Sequence, residues 1–280
     1  MRTIAAYALR ESLRRRVFLV VVVLTAVFLA LYGLGVRVAF DQTGLLDDSV
    51  PLDDQAITGG TLLGLAMFAT LFLGTVLAVF LTFGTVSGDA ERGLLQTLVV
   101  RPVGRPSLLL ARYLAAAAVA GGYALAVYLA AVGLTGAAGG WWPDRILAPG
   151  LLLAGGVAVV AALSLLASVY LSTTASGIAV FMAFGAGLTG GLLHQVGDAL
   201  DVDSLENVGR IASLALPFEA LYQWGLQLLT ADTGGFTSVV INLGPFGGAQ
   251  DGGPGLVAWS LGYVALAGAL ALLGFMRRDL

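Results

Sequence analysis

The sequence contains no cysteine and no lysine, and its only histidine is His194. Without cysteine the chain forms no disulfide bond and offers no thiolate ligand to a metal ion. One histidine excludes a haem held by two histidines of this chain. All fourteen basic residues are arginine, whereas a phosphate-binding P-loop needs the lysine of GxxxxGK followed by Ser or Thr. We therefore do not expect this chain to be a Walker-type ATPase that hydrolyses ATP itself.

Charged residues are also scarce. They make up 11% of the 280 residues, whereas hydrophobic residues make up 58%. Mean hydropathy is +0.93. Since a soluble domain carries about 25% charged residues, the composition predicts an all-α integral membrane protein.

Long runs without charged residues mark the expected membrane spans, since a helix needs about 20 apolar residues to cross the hydrocarbon core. The run between Arg145 and Asp198 is long enough for two helices, and the polar stretch STTAS at 172–176 divides it. A sixth helix and a cytoplasmic tail are expected in 255–280. The first five helices are expected within 17–197, at about 17–36, 57–86, 107–135, 147–171 and 177–197.

A seventh apolar stretch, 211–231, is not expected to cross the membrane. Pro217 and Glu219 lie at its centre, where a kink and a charge are both costly in lipid. We interpret this stretch as a re-entrant or interfacial helical pair. It lies within a longer extracytoplasmic segment, 198–254.

The arginines are distributed unevenly about this six-helix plan. One side of the membrane receives eleven of the fourteen arginines but only four of the seventeen acidic residues. Cytoplasmic loops are rich in arginine and lysine, so we place both termini and the 87–112 connection in the cytoplasm. A seventh crossing would move Arg277 and Arg278 to the outside.

Residues 1–16 are predicted to form an amphipathic helix on the cytoplasmic face of the membrane. Apolar residues lie loosely on one side of it, and the charged side includes Arg10, Arg14, Arg15 and Arg16. Such a helix is attracted to anionic lipid. A cleaved signal peptide is the alternative, but no small-x-small cleavage site stands out beside a polar boundary. The first span is therefore expected to remain uncleaved.

Few polar groups are expected inside the spans. Acidic and basic residues are absent from the span interiors, which disfavours an ion-coupled secondary transporter. Gly187 and Gly191 form a GxxxG step that predicts close packing against another helix. His194 is expected as an interfacial polar residue, with a ligand role as the alternative. In the outer segment, interface anchoring or an outer gate is expected of Glu219, Tyr222 and Trp224.

The stretch GDAERGLLQTLVVRPVGR at 88–105 mixes charged and apolar residues between two spans. Glu91 suits the first turn of a short helix, and Pro102 ends that helix. A single apolar stripe is formed by Leu94, Leu95, Leu98 and Val99. An apolar ridge with a charged rim is typical of a protein interface. A helix floating on the membrane surface is the alternative.

The longer segment SGDAERGLLQTLVVRPVGRPSLLLARYLA resembles the signature of ABC-2 type permeases, the membrane subunits of ATP-binding-cassette transporters. The matching positions are Glu91, Gly93, Leu94, Leu98, Pro102, Val103, Gly104, Arg105 and Arg112. Leu95 stands where threonine is frequent in that signature, and Arg112 where lysine is common. Within the family the chain is most similar to permeases of the nitrous-oxide-reductase maturation type.

This resemblance implies the type V exporter-like fold of the family, in the cell membrane, and a separate ATPase. Residues 88–104 would include a coupling helix. Contact with the ATPase would fall to Asp89, Glu91, Arg92, Gly93, Leu94, Leu95, Leu98, Val99, Pro102 and Arg105. Two ATPase copies, holding ATP and Mg²⁺, would drive two permease subunits, identical or different, in the lipid bilayer. The chain itself would hold no cofactor or metal and would bind no nucleic acid.

Two other functions stay open from the sequence. A scaffold or mechanotransmission subunit could use the same ATPase-coupled fold without moving a substrate. A lipid-modifying enzyme needs clustered acids or histidines, usually with a metal. Asp89 and Glu91 are two residues apart and therefore lie on different helix faces. Spans rich in Gly, Ala, Leu and Phe, with no buried charge, favour an apolar or amphiphilic substrate for a transporter.

Overall fold

A computed structural model describes residues 16–43, 54–82, 105–200, 202–233 and 252–277. Within these ranges the chain is helical and contains no β-strand, which confirms the predicted all-α class. The helices are α1 (Arg16–Thr43), α2 (Asp54–Thr82), α3 (Arg105–Gly139), α4 (Leu147–Tyr170), α5 (Thr173–Leu200), α6 (Asp203–Ala215), α7 (Pro217–Gln227) and α8 (Pro254–Arg277). A 3₁₀ helix, Leu228–Thr230, follows α7.

Six of the described helices, α1 to α5 and α8, are long and apolar enough to cross a membrane, as predicted. The shortest of these spans have 24 residues, or about 36 Å at 1.5 Å per residue, against a hydrocarbon core of about 30 Å. The break between α4 and α5 falls at 171–172, beside the predicted division. Helix α1 continues beyond the expected residue 36 to Thr43, because a helix can extend past the hydrocarbon core into the headgroup region.

Helix α4 is the centre of the bundle and packs against α2, α3, α5, α7 and α8. Leu153 and Val157 of this helix are fully buried. Small residues lie at its crossings: Gly150 faces the side chains of Tyr128 and Leu125 on α3. Without a side chain at Gly150, α3 and α4 approach closely, which is how helices associate in lipid.

Hydroxyl groups link neighbouring spans in the buried part of the bundle. Tyr32 on α1 and Thr135 on α3 are hydrogen-bonded with 2.6 Å between their oxygens. Seven residues before Tyr32, Thr25 of α1 is hydrogen-bonded to Tyr123 of α3, and this second bond strengthens the contact between the two helices. Thr82 on α2 donates to Ser164 on α4 at 2.6 Å. These bonds satisfy polar groups that would otherwise be costly to bury.

The outer faces of α1 and α8 are apolar and exposed in the single chain. Leu19, Leu31 and Leu34 on α1 are each more than half exposed, as are Leu261 and Leu273 on α8. In a membrane protein such faces contact lipid tails or another subunit.

A short connection joins α3 to α4 and is packed down by aromatic side chains. Gly140 adopts a left-handed conformation with φ of 72°, which ends α3. Trp141 lies over Gly59 of α2, and Trp142 lies over Gly136 of α3. The backbone N–H of Asp144 donates to the carbonyl of Leu229 at 3.0 Å. This connection is therefore joined to the segment that follows α7.

Candidate functional site

We call residues 198–254, which the sequence predicts to be extracytoplasmic, the outer segment. After α5, its described part consists mainly of α6, α7 and the 3₁₀ helix. The break between α6 and α7 lies at Leu216, because Pro217 has no N–H to continue α6 but suits the first turn of a new helix. Helix α6 is amphipathic and mostly exposed. Its charged side holds an ion pair between Arg210 and Glu206, with 2.6 Å between nitrogen and oxygen.

Helix α6 lies along α5. Gly209 of α6 contacts the backbone and Cβ of His194, and Gly197 of α5 contacts the backbone at Glu206. The Nδ1 atom of His194 is 3.3 Å from the carbonyl oxygen of Glu206. His194 is half-buried at this helix contact. These contacts show that His194 packs between α5 and α6.

Helix α7 is buried inside the bundle, in contrast to α6. Nine of its eleven residues are buried, including the aromatic residues Phe218 and Tyr222. Phe218 stacks on Phe184 of α5 with 5.3 Å between ring centroids. A Cβ atom at Gly156 of α4 would lie 3.1 Å from the carbonyl oxygen of Phe218. Helix α7 thus packs with its backbone close to α4.

The contact positions show how far α7 extends along its neighbours. Gly156 is nine residues beyond Leu147, the first residue of α4, which corresponds to about 14 Å along the helix. A Cβ atom at Gly225 of α7 would lie 3.1 Å from the terminal methyl group of Met67 on α2. Met67 is thirteen residues beyond Asp54, the first residue of α2. Helix α7 therefore lies between the spans rather than across their ends.

The GxxxG step of α5 receives two consecutive residues of α7. Gly187 lies beneath the ring of Phe218, and Gly191 lies beneath the carboxyl group of Glu219. A side chain at either glycine would occupy the space of these groups. The sequence predicted close packing for this step but did not identify α7 as the partner. Gly187 and Gly191 are four residues apart on α5, and they face Phe218 and Glu219, the two residues that follow Pro217. This pairing can be recognised only once it is known that α5 and α7 pack together.

Glu219 is 1% exposed, and neither of its carboxyl oxygens has a hydrogen bond of normal geometry to a described residue. Burial raises the pKa of Glu219 to about 7, and the nearby side chains of Gln223 and Ser213 oppose this rise only in part. One turn along α7, Oε1 of Gln223 is also buried without a donor. Burial, and secondly the charge of Glu219, raise the pKa of Tyr222.

The three outer residues singled out by the sequence all lie on α7, but in different surroundings. Glu219 and Tyr222 are buried in the bundle, with 1% and 4% exposure. Trp224 is half-buried, and its indole ring lies over Gly252, just before α8. The indole of Trp259 on α8 donates to the carbonyl of Leu214 at 3.0 Å. The outer segment is thereby joined to the last span as well as to α5.

The predicted coupling helix, 88–104, lies outside the described residues, and so do the residues 1–15 of the predicted amphipathic helix. Arg16 is the first residue of α1, and Arg105 is the first residue of α3. Residues 83–104 therefore connect the end of α2 to the start of α3 in the chain. The predicted contact residues outside the described ranges are Asp89, Glu91, Arg92, Gly93, Leu94, Leu95, Leu98, Val99 and Pro102.

Comparison with known proteins identifies the family of this helical bundle. The family model described as "ABC-2 family transporter protein" matches residues 2–280, which is nearly the whole chain. No curated protein sequence matches the chain. The match includes the six membrane-crossing helices, the outer segment and the connection between α2 and α3. The chain therefore belongs to the ABC-2 transporter family and is a multi-pass membrane permease subunit of an ABC transporter.

Proposed function

We propose that this permease is half of an exporter whose energy comes from a separate ATPase docked on residues 88–104. The observation that carries the proposal is the family match over 2–280, which includes an apolar and charged segment between two spans. Leu94, Leu95 and Leu98 in that segment supply an apolar ridge, and such a ridge with a polar rim suits a protein partner. Because this chain has no lysine for a P-loop, ATP is hydrolysed by the partner, and the resulting movement is transmitted to this chain through the segment 88–104.

The orientation that we propose places both termini in the cytoplasm. Tyr170 at the end of α4 donates to the carbonyl of Leu270 on α8 at 2.9 Å, and Arg277 lines a cavity with Tyr170. The end of α8 thus lies beside the end of α4. Since six spans alternate in direction, the ends of α4 and α8 share a side with the connection between α2 and α3. The arginine-rich composition of that side favours the cytoplasm.

The outer segment acts as a gate in this proposal. Helix α7 enters the bundle as a re-entrant helix from the outer side, and its buried length supports that placement. ATP-driven closure of two ATPase copies, each holding Mg²⁺, pushes on the coupling helices and changes the packing around α7. Glu219 and Tyr222 lie inside this gate, and Trp224 lies at its rim.

A second permease subunit, identical or different, completes the transporter. The exposed apolar faces of α1 and α8 provide surface for that subunit and for lipid. The amphipathic helix over 1–16, with Arg10, Arg14 and Arg15, lies on the cytoplasmic leaflet beside the coupling helix. Within the ABC-2 family, we propose that the chain is related to the permeases of the nitrous-oxide-reductase maturation type.

The substrate class that we favour is apolar or amphiphilic. A cavity of about 310 Å³ lies between α3, α4 and α8, and apolar residues line it. Among these are Leu109, Leu165 and Leu272. Such a lining suits a hydrocarbon chain better than a small ion, since Tyr113 is its one residue with a polar side chain.

A single substitution tests the docking proposal. Leu98→Asp places a charge on the apolar ridge and should abolish co-purification of the ATPase, while the membrane bundle keeps its thermal stability. Val202→Asp is the matched control, because Val202 is an exposed residue before α6, at the opposite end of the bundle. The control should leave ATPase binding unchanged. Unaltered ATPase binding and stimulation in Leu98→Asp would overturn the proposal.

A further inference from the structure

Among the described residues, Glu219 is the only acidic or basic residue whose side chain is fully buried. Its two carboxyl oxygens and Oε1 of Gln223 are three buried acceptors without a donor of normal geometry, and the nearby side chains of Gln223 and Ser213 offset the burial of the carboxyl group only in part. The two residues are four apart on α7, so that they lie on the same face of the helix. A bound proton is the smallest group that supplies a donor to this site.

No described cation offsets a negative charge at Glu219. On α7 itself Gln223 and Tyr222 interact with it, and on α6 the uncharged side chain of Ser213 does. Arg210 on α6 is paired with Glu206 at 2.6 Å and is exposed. His194 on α5 has its Nδ1 atom at the carbonyl of Glu206. The other described titratable side chains on elements packed against α7 are Asp203 on α6, Asp54 on α2, Tyr170 on α4, and Tyr263 and Arg277 on α8; the 3₁₀ helix has none.

The close fit of the carboxyl group makes an ionised form costly. Gly191 leaves room for the carboxyl group itself and is buried on α5. An unpaired carboxylate away from water is penalised by several kcal/mol, and the group takes up a proton instead. Burial accordingly holds the pKa of Glu219 at about 7, above its usual value of 4.5.

We propose that Glu219 is a proton-binding site that fastens α7 to α5. With the proton bound, the neutral carboxyl group packs on Gly191. When the proton leaves to solvent, the carboxylate moves into water and α7 detaches from this face of the bundle. The proton concentration around the outer segment thus controls its attachment, whether or not the ATPase docks as proposed above.

The direction of the pH dependence follows from linkage. The docked carboxyl group has a pKa of about 7, and the released group in water has one near 4.5. Between these values the docked form holds more protons than the released form. Docking is therefore strongest below about pH 4.5, and release increases by up to about tenfold per pH unit until it levels off above about pH 7.

Cysteine labelling tests this site, because the chain has no cysteine of its own. Ala220→Cys reports on α7, where Ala220 is 4% exposed, and Ser204→Cys gives an exposed reference on α6. Nucleotide-free membranes holding the whole complex are treated with the membrane-permeant reagent N-ethylmaleimide at pH 5 to 8. The rate at position 220 divided by the rate at 204 removes the titration of the thiol. We expect this ratio to rise by up to about tenfold per pH unit from pH 5 to 7.

Two variants separate Glu219 from other groups. Glu219→Gln resembles the neutral carboxyl group and should fold, with a low ratio that does not change with pH. Glu206→Gln, an acid of α6 paired with Arg210, should keep the original profile. The proposal is overturned by a flat profile in the parent protein, by an unchanged profile in Glu219→Gln, or by failure of Glu219→Gln to fold. Dependence of the ratio on Na⁺ against choline at fixed pH would overturn it in favour of a metal cation.

Discussion

The carboxyl group of Glu219 lies directly over Gly191, so that position 191 has no space for a side chain. This contact, with the neighbouring one between Phe218 and Gly187, attaches α7 to the side of α5. Helix α7 is therefore part of the packed core and does not lie on the surface of the helical bundle. The contact also predicts which glycines of α5 tolerate a side chain.

Gly191→Val should destabilise the bundle by about 1 to 3 kcal/mol, because the added methyl groups collide with Glu219 and displace α7. Gly185→Val is the matched control on the same helix, since a Cβ atom at Gly185 has no neighbour within 4 Å. Both variants carry the same change in helix propensity. Thermal unfolding in detergent measures the difference. Equal melting temperatures for the two variants would contradict the observed packing.

The bond between Tyr32 and Thr135 should couple α1 to α3. Thr135 donates its own hydroxyl hydrogen to the carbonyl of Ala131 at 2.9 Å, so Tyr32 is the donor in the 2.6 Å bond. A double-mutant cycle with Tyr32→Phe and Thr135→Val should give a coupling energy of about 0.6 kcal/mol, and at most about 1.7. The cycle of Tyr32→Phe with Thr70→Val should be additive, because Thr70 bonds to its own helix at Ala66. Additivity in both cycles would show that the first bond contributes nothing.

Asp144 should hold the connection between α3 and α4 against the outer segment. Its Oδ2 atom accepts a hydrogen bond from the backbone N–H of Asp232 at 2.9 Å. Asp144→Ala removes this acceptor and should speed hydrogen exchange at the Asp232 amide by up to about tenfold, since the bond is worth about 1 kcal/mol. Asp144→Asn keeps a side-chain oxygen and should exchange at nearly the original rate. Identical exchange in all three proteins would remove this role.

The proposed orientation predicts opposite labelling at two exposed serines. Ser172 lies between α4 and α5, whereas Ser204 lies in α6 of the outer segment. In intact cells an impermeant maleimide should label Ser204→Cys and leave Ser172→Cys unlabelled until the membrane is opened. The reverse pattern would place the arginine-rich side outside, contrary to the proposal.

The number of spans could be predicted from the sequence because charge-free runs report directly on the cost of placing charges in lipid. The division near Ser172 was visible for the same reason, as a polar interruption of a long apolar run. The end of α1 at Thr43 could not be predicted in this way, because Arg37 ends the charge-free run although the helix continues past it.

The position of α7 is the feature that the sequence left undetermined. Pro217 and Glu219 correctly indicated that 211–231 is not a simple span, but both an interfacial and a re-entrant helix explained them. Burial of Glu219 depends on Gly191, which is far away in the sequence and became its neighbour only through the packing of α5, α6 and α7. Pairwise contacts of this kind have no periodic signal in a single chain.

The central claim, that the connection between α2 and α3 is the attachment point of an ATPase, is tested most directly by site-specific photocrosslinking in native membranes. A photoreactive residue at position 98 should give one crosslinked product that contains an ATP-binding subunit. The same residue at Val208, exposed on α6, should give none. Crosslinking of position 98 to lipid alone, or equal capture of the ATP-binding subunit from both positions, would contradict the account.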